Sequence, residues 1–172
     1  MTPFAHLASG YWVYKIATIT PGTGSPILLG LSLAGAMTSD IDGLFGKQMR
    51  DHRNTIFHAP SFWFLAFISI RTFAFLAGNE NLALYVNAFF SGVFIHLFLD
   101  WFSGRTTGIR IFYPFSKKVY ALFPIHPERG NIPVFPNKEH FAFWKFYLEN
   151  KFLVLTELLV TLSPIVLLIA KK

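Results

Sequence analysis

His96 and Asp100 stand four residues apart in the run His96-Leu97-Phe98-Leu99-Asp100. On a helix that spacing puts imidazole and carboxylate on one face. Ionisable groups in so apolar a stretch are costly, and they mark either a functional site or a pair that satisfies itself. Asp40-Ile41-Asp42 adds two carboxylates at i and i+2. Both can turn toward one cation if the chain leaves helical geometry there, and Thr38-Ser39 and Gly43 suit such a turn. The segment from Asp51 to His58 offers His52 and His58 on either side of a polar turn, with Arg53 free for an anion. His6 is a further imidazole near the start. Each element has a bland alternative: a hydrogen-bonded pair, a solvated helix end, an interfacial histidine. Together they are stronger. His6, Asp40, Asp42, His52, His58, His96 and Asp100 supply seven nitrogen or oxygen donors, more than the three or four protein ligands of one zinc. The set therefore implies two divalent ions, or one whose ligands are steadied by the remaining carboxylates. With no Cys in the chain, the donors suit zinc first, and manganese, iron or nickel as alternatives.

The elements that must position these residues are membrane helices. The 172 residues are 53% hydrophobic with 21 Phe, only 14% are charged, and the mean hydropathy is +0.45. An ordinary soluble domain carries about 25% charged residues. A spanning helix needs about 20 mostly apolar residues. Leu82 to Phe102 and Phe152 to Ala170 meet that length, and so does Ala59 to Ala77. Phe4 to Thr20 is apolar enough, whereas Pro26 to Met37 is short and reads as a half-helix or a helix buried in protein. The expectation is an all-α, polytopic membrane helix bundle with four to five embedded helices. It forms one domain over residues 1–172, with 103–151 as a long cytoplasmic or interfacial loop region. No cleavable signal peptide is expected, because the start lacks a basic region before an apolar core.

If alternate segments cross, Thr38 to His58 and Ser103 to Lys151 lie on one side and carry eleven of the fifteen Lys and Arg. That side should be cytoplasmic, with the N-terminus and all seven candidate ligands facing it. Trp12, Trp63, Trp101 and Trp144 fall where interfacial anchors would. Arg105, Arg110, Lys117 and Lys118 read chiefly as juxtamembrane residues meeting anionic lipid. Glu157 is an intramembrane acid with Lys15 and Arg71 as candidate partners. His126 and His140, in the long loop, are left outside the core set. The net charge of +6 belongs to the membrane side and does not indicate nucleic-acid binding.

These segments resemble the YdjM-like family of membrane-bound metal-dependent hydrolases. The features that carry the resemblance are His6, Ser39-Asp40-Ile41-Asp42, His52-Arg53 through His58-Ala59-Pro60, His96 through Asp100, and Gly108 to Phe115. They occur in order over roughly residues 1 to 125. Ser39 stands where the family has Pro, Gly43 where His is common, and Phe57 and Ala59 where Thr and Ser are usual. The resemblance implies a metal-dependent hydrolase without naming its substrate. A divalent ion lowers the pKa of bound water to about 7 and polarises a phosphoryl or carbonyl oxygen. The leading expectation is thus hydrolysis of an ester or phosphoester, possibly lipid-like, at the cytoplasmic membrane face. Asp51 would serve as general base, and Arg53 would clamp an anionic substrate. A non-catalytic, metal-stabilised membrane adaptor is the alternative, and a small metal or proton transporter a third.

Overall fold

The computed structural model describes residues 1–19, 22–44, 46–49, 52–133 and 138–170. Among these residues there are six α-helices, in the order α1 (Pro3–Ala17), α2 (Pro26–Thr38), α3 (Pro60–Leu76), α4 (Glu80–Ser103), α5 (His140–Glu149) and α6 (Lys151–Ala170). The described residues contain no strand, so the all-α expectation holds. Three helices begin on proline, whose missing N–H is one of the unpaired donors of a helix start anyway. Ser25 and Asn79 accept side-chain hydrogen bonds from Leu28 and Leu82 at the starts of α2 and α4.

Helix α4 forms the spine. It packs most extensively on α2, and also on α3 and α1, while α6 lies against α1. Trp63, Phe90, Val93 and Leu97 fill the core between α3 and α4. Trp63 was expected as an interfacial anchor, but it is buried, and its indole N–H donates to the Phe57 carbonyl at 2.7 Å. Trp12 instead ties α1 to α6 by donating to Ser163 at 2.8 Å. Only Trp144 keeps a half-exposed ring at 46%.

Among the described residues, α4 and α6 are long and apolar enough to cross a membrane, and α3 is a shorter apolar helix. The outward faces of α3 and α6 expose Phe64, Leu65, Phe73, Leu155, Leu159, Ile165 and Val166. A continuous apolar surface of that kind suits lipid rather than water. Helix α2, at 13 residues, is the short, protein-packed helix that its length implies.

Two glycines set how closely the spine and α2 approach. A Cβ on Gly35 would lie 2.0 Å from the Phe89 carbonyl oxygen, and one on Gly92 would lie 2.6 Å from the Ser32 carbonyl oxygen. Small residues at such crossings let backbones touch. That contact allows a backbone carbonyl of α2 to reach a side chain of α4.

Candidate metal centre

The C-terminal ends of α2 and α4 and the N-terminal ends of α1 and α3 meet at one end of the bundle. His96 and Asp100 project from the last turns of α4. Past the end of α2 the chain tightens into a 3-10 turn, Ser39–Leu44, which carries Asp40 and Asp42. His58 closes a second short 3-10 turn, Ile56–His58, just before α3. One ligand atom each from Asp40, His58, His96 and Asp100 gathers within 4.8 Å of all the others. His58 Nε2 lies 3.2 Å from Asp100 Oδ2 and 3.8 Å from Asp40 Oδ1. His96 Nε2 lies 3.4 Å from Asp100 Oδ2 and 3.5 Å from Asp40 Oδ1. Tetrahedral ligands at roughly 2.0–2.1 Å from a zinc are separated by about 3.3 Å. The four atoms are thus spaced much as the corners of such a site.

Both imidazoles are held in the tautomer that a cation needs. His58 Nδ1 donates to Asp42 Oδ2 at 2.8 Å, and His96 Nδ1 donates to the Ala36 carbonyl at 2.7 Å. Carboxylate and carbonyl oxygens can only accept. Each Nδ1 must therefore carry a proton, so Nε2 is the ring atom left to present a lone pair to a cation in the cluster. Among the described residues, those two Nε2 atoms and Asp100 Oδ2 are buried without a hydrogen-bond partner. Buried polar atoms are normally paired, and three orphans facing one point fit a cation. Thr55 also donates to Asp42 Oδ2, fixing the carboxylate that holds His58. Asp100 Oδ1 faces the other way, accepting from Arg53 Nη2 and from the Met1 amine, each at 2.8 Å.

The electrostatics differ between the histidines around the cluster. Burial pushes the His58 imidazole down, but the Asp100 and Asp42 carboxylates outweigh it and leave the pKa raised. Burial pushes Asp40 up, yet the imidazoles of His96, His6 and His58 leave it below the usual carboxylate range. His52 is driven down to about 4 by burial, with the charges of Arg53 and His58 adding to the effect.

The seven expected ligands divide. Asp40, His58, His96 and Asp100 converge. Asp42 stands behind His58, and His6 stacks on His96 with ring centroids 3.8 Å apart. His6 Nε2 lies 3.3 Å from Asp100 Oδ1, and both of its ring nitrogens are buried without a hydrogen-bond partner among the described residues. His52 sits edge-on to His58 at 5.7 Å, its Nδ1 donating to the Met49 carbonyl. Asp51 lies outside the described residues. Arg53 is buried, with Nη2 on Asp100 and Nη1 on the Thr107 carbonyl.

A cavity of about 540 Å³ opens beside the cluster, lined by Asp40, His52 and Arg53 with Met37, Met49, Phe143, Trp144, Arg105 and His140 among others. Arg105 was expected at the lipid surface; it is only 7% exposed. It is also the partner of Glu157, in place of Lys15 or Arg71: Arg105 Nη1 lies 3.4 Å from Glu157 Oε2. Tyr147 donates to the same oxygen at 2.5 Å, and the Thr2 amide donates to Oε1. Burial raises the Tyr147 pKa, so its hydroxyl remains a donor. His126 is exposed and pairs with Glu128 at 3.3 Å, as its exclusion from the core set implies. The Ala36 carbonyl and the Arg105–Glu157–Tyr147 group escaped sequence reasoning. A backbone oxygen carries no residue signal, and 52 residues separate Arg105 from Glu157.

Over its whole length, residues 1–172, the chain matches the YdjM inner membrane protein family, and it belongs to that family. No curated protein and no solved structure shows a significant match. Family membership and the two apolar helices together point to an inner membrane protein.

Proposed function

We propose that this YdjM-family protein is a membrane-bound metal-dependent hydrolase of an ester or phosphoester. Its metal would be held by Asp40, His58, His96 and Asp100. The observation that carries the proposal is the convergence of orphaned, buried donor atoms beside an open cavity. When bound, a divalent ion, zinc before manganese, iron or nickel, would lower the pKa of a water and polarise a phosphoryl or carbonyl oxygen. Asp42 and the Ala36 carbonyl orient His58 and His96, as partners of metal-binding imidazoles do. Asp40 is the one member partly open, at 24%, and it borders the cavity from which water and substrate would arrive. Asp51 keeps the role of general base, Arg53 steadies Asp100, and His6 and His52 flank the site.

The cluster lies at one end of the bundle, beside the loops that hold most of the basic residues. We place that end at the cytoplasmic face, with α1, α2 and α3 embedded alongside the two longer helices. Four protein donors can also close a purely structural site. That geometry favours the metal-stabilised adaptor as a second reading. Assay of metal-replete protein in detergent against p-nitrophenyl phosphate, bis-p-nitrophenyl phosphate and p-nitrophenyl butyrate separates the two. Hydrolysis that disappears in Asp100→Ala and His96→Ala supports the enzyme. Bound metal with no turnover of any of the three supports the adaptor and overturns the enzyme.

A further inference from the structure

The guanidinium of Arg105 is fixed on three sides. Its plane stacks on the Tyr147 ring, with Cζ 3.6 Å from the ring centroid. Nη1 is committed to Glu157 at 3.4 Å. The backbone beside it is pinned as well, the Arg105 carbonyl accepting from the His126 amide at 2.7 Å. Nε and Nη2 are buried and have no hydrogen-bond partner among the described residues. These two N–H groups point along one edge of the guanidinium, the two-pronged edge that matches two oxygens of a phosphoryl group or carboxylate. An arginine held this firmly, with two buried donors unpaired on one edge, is organised to take a ligand there.

Arg105 lines the same cavity as Asp40 of the candidate metal centre. Arg53, also buried, contributes a second guanidinium to that cavity wall, its Nε without a partner among the described residues. Arg105 also borders a further cavity, whose lining includes none of Asp40, His58, His96 and Asp100. Between the two guanidiniums and the apolar side chains of Met37, Met49, Phe143 and Trp144, the metal-side cavity suits an anionic head joined to an apolar group. A neutral carboxylic ester would leave the Arg105 edge unpaired and buried, at a cost. A phosphoester would fill it.

We infer that Arg105 is the phosphoryl-binding residue of this cavity, the Nε and Nη2 donors grasping the phosphate of a phosphoester whose apolar part lies against Met37, Met49, Phe143 and Trp144. The assignment rests on the hydrolase proposal for its choice of cavity, and it selects phosphoesters among the substrates that proposal allows. The phosphate comes from a lipid headgroup or from a soluble phosphate ester.

Detergent-purified protein is titrated with inorganic phosphate by calorimetry, with and without prior chelator treatment, and its metal content is measured in parallel. Wild type is expected to bind phosphate in both forms, more tightly when metal is present. Arg105→Lys keeps the charge opposite Glu157 but loses the two-pronged edge. It should bind phosphate about tenfold to a hundredfold more weakly in both forms, with unchanged metal content, and its thermal midpoint shows that it folds. Arg105→Gln should lose more. Phosphate affinity unchanged in Arg105→Lys, or absent in wild type of normal metal content, overturns the assignment and leaves the metal centre standing. A protein that takes up no metal yet binds phosphate through Arg105 fails the hydrolase proposal and keeps the assignment. Competition then identifies the source. Dihexanoyl phosphatidic acid displacing phosphate better than glycerol 3-phosphate indicates a lipid, and equal displacement indicates a soluble ester. Displacement by neither overturns the assignment.

Discussion

Replacing Asp42 tests whether it acts on the candidate metal centre through His58. Asp42 is 1% exposed and accepts the His58 Nδ1–H at 2.8 Å. A hydrogen bond to a charged group is worth about 1.5–3 kcal/mol net, against about 0.5–1.5 kcal/mol for a neutral one. Asp42→Asn preserves an acceptor oxygen for His58 and Thr55 but removes the charge. The difference, about 1.4 kcal/mol, corresponds to about a tenfold loss of metal affinity. Asp42→Ala removes the acceptor altogether and frees His58 to place its proton on Nε2. Its loss should approach a hundredfold, about 2.7 kcal/mol, the upper end for partners of metal-binding imidazoles. Equilibrium competition with a chelator of known affinity measures both, and metal-free thermal midpoints show whether each variant folds. In a His58→Ala background Asp42→Asn should have no further effect, because the group it acts on is gone. Wild-type affinity in Asp42→Ala, or full additivity with His58→Ala, would refute the reasoning.

Three other outcomes are expected. Gly35→Ala drives a Cβ to 2.0 Å from a backbone oxygen of α4. It should cost about 1–3 kcal/mol and lower metal occupancy as Ala36 shifts from His96, whereas Gly30→Ala, with nothing within 4 Å, should be neutral in thermal scans. Glu157→Leu strands Arg105, Tyr147 and the Thr2 amide, and should cost about 3 kcal/mol as a broken buried pair, read as a lowered unfolding midpoint in detergent. Arg53→Gln removes a charged donor from Asp100 Oδ1. Metal affinity should change by about tenfold or less, because Asp100 Oδ2, the oxygen facing the cluster, is retained; chelator competition measures it.

His96 and Asp100 were legible because i and i+4 on a helix leave little freedom, and their side chains do share one face. His58 was legible as an imidazole at the foot of an apolar helix. The two aspartates of Asp40-Ile41-Asp42 were expected to turn together, and they do not. A 3-10 turn rotates by about a third of a circle per residue, so i and i+2 diverge. Asp40 faces Nε2 of His58 at 3.8 Å and Asp42 faces Nδ1 at 2.8 Å. The short spacing that made the pair conspicuous is what separates their roles. Helix α2 read from its length as a half-helix or a helix buried in protein. Its importance lies in the Gly35 and Gly92 contacts, which bring the Ala36 carbonyl to His96. Arg105 was misjudged for a similar reason: a basic residue just past a membrane helix usually meets lipid, and only the fold reveals Glu157 and Tyr147 closing around it.

The central claim is that four residues at one end of the bundle hold a metal. Elemental analysis of protein purified in detergent without added metal tests it most directly. The expected result is one transition-metal ion per chain in wild type, strongly reduced in Asp100→Ala and His96→Ala variants that still fold. Freshly isolated wild-type protein with no such metal, and no uptake of zinc, manganese, iron or nickel on titration, would contradict it.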